Sequence, residues 1–118
     1  MDLLSQLFNK PVINQVDPAQ VQVMLSQSPR PFLLDVRTSG EYEGGHISGA
    51  ELIPLDELSA KKDRIPKERQ VICICASGSR SSFAARQLSS MGYKVINMRG
   101  GMDRWIRLGL PVKSGKTK

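Results

Sequence analysis

A chain of 118 residues with a formal charge of +6 is long enough for one domain and too short for two. Hydrophobic residues make up 40% of it, an ordinary globular share, so neither general disorder nor a disulfide-dependent scaffold is expected. No apolar run approaches the ~20 residues that cross a bilayer, and no aromatic residues interleave with the basic ones as on a nucleic-acid surface.

Residues 1–14 read as a leader segment. Asp2 stands where a secretion signal would carry positive charge, and the apolar run to Phe8 is too short for one, so the segment is expected to be kept and the protein to be cytoplasmic. Leu3, Leu4, Leu7 and Phe8 recur at helical spacing, read as a short turn packing on its own domain, with a docking helix as the other reading. The domain itself is expected over residues 15–112. Asp17 opens a helix as its N-cap, with Pro18 at the first helical position and Gln20 closing a capping box. Val21, Met24 and Leu25 form its apolar face, and Ser28-Pro29 ends it. Phe32 to Val36 reads as a buried strand. Ser39 is expected to cap a short helix through Tyr42 that stops at Gly44-Gly45.

Ala50 to Ile53 follows as a short strand and Leu55 to Ala60 as a helix, with Asp56 and Glu57 in its first turn. Val71 to Ile74 is almost purely apolar, as suits a central parallel strand covered on both faces. Ser79 to Met91 is the clearest helix, with Phe83, Ala84, Leu88 and Met91 on one side and Gly92 as its C-cap. Lys94 to Met98 makes another strand, and Gly100-Gly101 turns the chain into a last helix carrying Trp105 and Leu108 and closed by Gly109. Lys113, Lys116 and Lys118 lie in residues 113–118, read as a flexible basic tail. Short apolar runs alternating with helical segments predict an α/β fold with parallel strands.

Two cysteines and one histidine leave little room for a zinc site, and none is expected. Cys73 and Cys75, two positions apart, are read as facing opposite ways and unable to staple the domain. A reducing compartment is the simplest setting. Cys73 falls inside the apolar run and is assigned to the core.

Cys75 is different, because it ends the central strand and begins the segment Cys75-Ala76-Ser77-Gly78-Ser79-Arg80 that leads into the best helix. Ligands of open α/β sheets bind at the carboxyl ends of strands. A cysteine there, facing backbone N–H groups and a helix N-terminus, should react as the thiolate. The small residues Ala76, Ser77, Gly78 and Ser79 let the backbone curl so that N–H groups point inward. Arg80 adds a fixed positive charge for an anionic donor, or else braces the loop through Asp35 or Glu41.

Asp35-Val36-Arg37, Glu41-Tyr42, Gly45-His46-Ile47, Gly49-Ala50 and Ile53-Pro54 resemble the N-terminal signature of rhodanese domains. Cys75-x-x-Gly78-x-Arg80-Ser81 resembles their active-site loop, and Gly100-Gly101 with Trp105 their closing motif. The likeness runs from about residue 15 to 112. It implies a three-layer α/β sandwich built on a five-stranded parallel sheet with helices on both faces. It also implies a thiosulfate sulfurtransferase that moves sulfur through a persulfide on Cys75. The donor is then a small anion such as thiosulfate, and the acceptor cyanide in an assay or, in the cell, a thiol such as one on a protein. No metal, organic cofactor, nucleic acid or membrane partner is implied.

Four residues separate Cys75 from Arg80, whereas phosphatases with a similar loop resemble Cys-x5-Arg. The tighter loop suits a terminal sulfur better than a phosphate, and no carboxylate within it serves as general acid for a leaving group. A phosphatase or arsenate reductase using the same loop is one alternative; a weakly catalytic or non-catalytic docking module is the other. Asp35 and Arg37 are read as a supporting ion pair and His46 as a hydrogen-bonded turn residue. Trp105 is read as a core anchor, while Arg99 and Arg104 are placed either at the pocket mouth or on the solvated surface.

Overall fold

The fold is that of a computed structural model describing residues 12–118, so the leader residues Leu3 to Phe8 lie outside the described part. Ten elements follow one another: β1 Gln15–Val16, α1 Pro18–Met24, β2 Phe32–Asp35, α2 Ser39–Gly44, β3 Glu51–Leu52, α3 Leu58–Lys61, β4 Gln70–Ile74, α4 Ser79–Ser90, β5 Lys94–Met98 and α5 Gly101–Arg107. The strands form one sheet in the order β1-β5-β4-β2-β3, every neighbouring pair parallel. This is the expected five-stranded parallel sheet, with β4 at its centre.

Both faces of the sheet are covered, and the alternation along the strands shows how. Leu34, Val71 and Cys73 pack against Leu58 of α3 and Ala84, Ala85 and Leu88 of α4. Leu33, Ile72 and Ile74 turn the other way, onto Val21 of α1, Tyr42 of α2 and Met102 and Trp105 of α5. Fully burying such an aliphatic side chain stabilises by about 1.5–3 kcal/mol. The centre of β4 is therefore the most firmly held backbone in the domain, and the loop that follows it starts from a rigid base.

Several local expectations are corrected. Cys73 and Cys75 do not face opposite ways: both belong to the cluster beneath α4, as a period of two along the strand requires, and both are free thiols. The cap of α2 is Thr38, not Ser39, since Glu41 N–H donates to Thr38 Oγ1 at 3.3 Å and Thr38 N–H donates to Glu41 Oε1 at 3.1 Å. The segment expected as one helix from Leu55 begins with a 3₁₀ turn at Leu55–Glu57 and ends with another at Lys62–Arg64. Phe83 is 59% exposed, because the buried stripe of α4 runs Ser81, Ala84, Ala85, Leu88, and residue 83 lies off that face. Leu108 follows α5 as its C-cap and is exposed.

Other features stand as read. Asp17 N–H donates to Gln20 Oε1 at 3.1 Å in the capping box of α1. Trp105 is fully buried, and its indole N–H donates to Pro111 O at 2.8 Å. Beyond it the chain turns back along the domain: Lys113 pairs with His46 through both backbone groups, and Gly115 N–H donates to Glu43 O. These contacts tie down much of the stretch read as a tail. Among the described residues no helix is long and apolar enough to cross a membrane.

Candidate active site

Cys75 follows the last residue of β4, and Gly78 is the N-cap of α4, so strand and helix are joined by a very short loop. Its side chain is fully buried. Among the described residues two donors reach Cys75 Sγ: the Gly78 N–H at 3.0 Å and the Ser81 hydroxyl at 3.2 Å. The Ser81 hydroxyl also lies 3.2 Å from Gly78 O. It has one proton and serves one acceptor at a time, so an ionised sulfur, the stronger acceptor, draws it. Gly78 reaches its position with φ at +103°, a left-handed conformation that a side chain would strain.

Two neighbouring elements hold this loop in place. From β5, buried Asn97 directs its Nδ2 group to Gly78 O at 3.3 Å, Ser82 Oγ at 3.0 Å and Gln15 Oε1 at 2.8 Å. From α5, Met102 N–H donates to Cys75 O at 2.8 Å and Asp103 N–H to Ala76 O at 2.9 Å. The first turn of a helix has N–H groups without intrahelical partners, and here the loop carbonyls satisfy them. The approach is so close that a Cβ on Gly101 would stand 2.5 Å from Ala76 O and closer still to Cys75 O. Gly101, with no side chain, lets the helix touch the loop.

Arg80, in the first turn of α4, donates from both terminal nitrogens to the two carboxylate oxygens of Glu41, each at 2.8 Å. That pairing holds Glu41 down to about 2, against an opposing push from burial. Arg80 is thus joined to α2 through Glu41, the bracing contact read as one of its two roles. Asp35 and Arg37 form a separate, buried pair, with Arg37 Nε 2.9 Å from Asp35 Oδ1 and Nη2 2.8 Å from Oδ2. Arg37 also donates to Glu41 O and Gly45 O, fastening α2 to the end of β2. The two salt bridges thus meet at Glu41 and brace the site from one side.

The remaining candidates lie apart from the sulfur. Burial pushes the Cys73 thiol up to about 12, with neighbouring Cys75 adding to the shift, so Cys73 is a core residue. His46 is buried and stacked on Tyr42 at 3.7 Å, with Nδ1 2.7 Å from Tyr42 O and Nε2 2.7 Å from Thr117 O. Arg99 and Arg104 both reach Asp17, at 3.0 and 3.6 Å, and so join the cap of α1 to α5. Ala76, Ser77 and Ser79 shape the loop, with Ser77 Oγ and Ser79 Oγ 3.3 Å apart. Sequence reasoning assigned no role to Ser81 or Asn97. Ser81 was legible as the residue after Arg80 in the loop motif, and Asn97 as a polar residue inside an apolar strand. Among the described residues no three His, Cys, Asp or Glu side chains gather as a metal site.

The model of the rhodanese-like domain matches residues 17–108. The chain belongs to the rhodanese-like domain family. Like the rhodanese domains named on its motifs, it is similar to a sulfurtransferase from Allochromatium vinosum, 35% identical over 102 residues that make up 86% of this chain and 95% of that protein. It is 33% identical to the thiosulfate sulfurtransferase GlpE of Tolumonas auensis, over 73% of this chain and 82% of that one. Among solved structures, a rhodanese-related protein from Thermoplasma volcanium superposes with a TM-score of 0.80 at 30% identity, covering 85% of this chain and 97% of that one. At family level this rhodanese-like domain is a rhodanese-type sulfurtransferase.

Proposed function

We propose that the protein carries sulfane sulfur as a persulfide on Cys75, taking it from a donor such as thiosulfate and giving it to an acceptor thiol. The observation that carries this reading is the pair of donors, Gly78 N–H and Ser81 Oγ–H, aimed at Cys75 Sγ at the end of the central strand. In the first half-reaction the Cys75 thiolate attacks the outer sulfur of the donor. A new Sγ–S bond forms, the donor's S–S bond breaks, and its electron pair leaves with sulfite. In the second, an acceptor thiolate attacks the outer sulfur and restores the Cys75 thiolate. The exchange is redox-neutral and needs no cofactor.

Gly78 N–H and the Ser81 hydroxyl stabilise the sulfur anion, as preorganised donors stabilise developing charge elsewhere. Ala76, Ser77 and Ser79 form the walls of the sulfur site. Arg80 closes the loop, and Asp35 with Arg37 supports it from behind. The four-residue spacing between Cys75 and Arg80 favours sulfur over phosphate. The test is turnover of thiosulfate to sulfite with a thiol acceptor. Cys75→Ser should abolish it with the fold intact, whereas Cys73→Ser should retain it. Equal losses in two well-folded variants would overturn the assignment.

A further inference from the structure

Among the described residues, both arginines of the groove beside the active-site loop are already paired with carboxylates, so a small anionic donor meets no unpaired cation there. It is an open cleft of about 520 Å³ lined by Val36, Pro54, Leu55 and Phe83, with Arg37, Asp56 and Arg80 as its charged members. Phe83 is exposed there, on a helix whose other large apolar residue, Leu88, faces the core. Arg37 is neutralised by Asp35, and Arg80 is held by both oxygens of Glu41. Asp56 pairs with no cation among the described residues. Two cations therefore stand against three carboxylates, although the chain as a whole carries +6.

We propose that Glu41 is a specificity-determining residue: by occupying the Arg80 fork it withholds that cation from small dianions, and it biases the site toward donors of lower charge borne on an apolar body, such as an alkyl or peptidyl persulfide. Carboxylates recognise the guanidinium through the same two parallel N–H groups that would grip a dianion, so donor and Glu41 compete for one fork. Glu41 remains ionised at any pH where the protein is used, since the Arg80 pairing holds it down to about 2. The apolar walls of the cleft suit the body of such a donor. With a neutral persulfide RS–SH, the Cys75 thiolate attacks the outer sulfur and the RS–S bond breaks. RS⁻ leaves with the electron pair, the proton stays on the transferred sulfur, and nothing is oxidised or reduced overall.

This inference rests on sulfur transfer through Cys75 and deepens it by naming the donor class. The test compares kcat/KM for the thiosulfate dianion with that for an alkyl persulfide whose alkyl body carries no charge, in the parent, Glu41→Gln, Glu41→Asp and the double variant Glu41→Gln/Arg80→Ala. Glutamine can still close the capping box with Thr38, and thermal melts check that each variant folds. Freeing a charge-assisted contact for the dianion should raise the thiosulfate-to-persulfide ratio about tenfold or more in Glu41→Gln. The shorter carboxylate of Glu41→Asp should raise it by less, and the double variant should lose the gain. A ratio unchanged in both folded single variants overturns the proposal while leaving the persulfide chemistry standing. The same ratio gain in the double variant overturns it too, since Arg80 would then have no part. No persulfide on Cys75 of the parent with either donor overturns both readings.

Discussion

Gly101→Ala tests how the domain fixes its active-site loop. Gly101 has φ at +60° and opens α5 directly against the carbonyls of Cys75 and Ala76. An alanine there meets two costs. The left-handed conformation is worth roughly 1–2 kcal/mol for a residue with a Cβ. The Cβ would also stand 2.5 Å from Ala76 O, and both obstructing atoms are backbone, so the helix must retreat. Retreat weakens the bonds from Met102 N–H to Cys75 O and from Asp103 N–H to Ala76 O, each worth about 0.5–1.5 kcal/mol. Together the loss is about 2–5 kcal/mol, a large part of the roughly 5–15 kcal/mol that holds a domain folded. Urea unfolding followed by circular dichroism would measure it, alongside the rate of sulfur loading under conditions where the variant stays folded. That rate should fall, because the loop backbone has moved. Gly40→Ala is the control, since Gly40 is exposed in α2 with nothing within 4 Å of a new Cβ, and should gain about 0.5–1 kcal/mol. A Gly101→Ala protein as stable and as active as the parent would refute the clamp.

Asp35→Asn leaves Arg37 buried without its countercharge and should cost about 3–5 kcal/mol, read as a large drop in melting temperature. If the melt does not move, the pair does not brace the end of β2. Cys73→Ser places a hydroxyl in the apolar cluster beneath α4 and should cost about 1–3 kcal/mol while sulfur loading persists. For Glu41 the direction with pH is fixed by its lowered pKa. The stability it contributes is fully present above the usual 4.5 and is lost as pH falls through about 2. Melting curves of the parent and Glu41→Gln should therefore differ above pH 4.5 and converge below about 2. The gap should be modest, because the pair is partly solvated.

Much of the fold was legible because β4 and α4 carry strong and opposite signals: an unbroken apolar run, then small residues opening a long helix. β1 was not, since Gln15 and Val16 have no periodicity and form a strand only by pairing with Asn97 and Met98. Phe83 misled because size suggests burial, whereas α4 approaches the sheet through the small residues Ser81, Ala84 and Ala85. At the site, Cys75 and the loop were readable from their place at the strand end. The partner of Arg80 lay 39 residues away, and sequence left Asp35 and Glu41 equally open. Asn97 stood out as a polar residue inside an apolar strand, but which loop it serves depends on the neighbouring strand on which it stands.

The most direct measurement of the central claim is intact mass followed by peptide mapping after brief exposure to a sulfane donor. One added sulfur atom, mapped to Cys75 and removed again by a thiol acceptor, is the result expected. A folded protein that gains no sulfur, or gains it on Cys73, would contradict it.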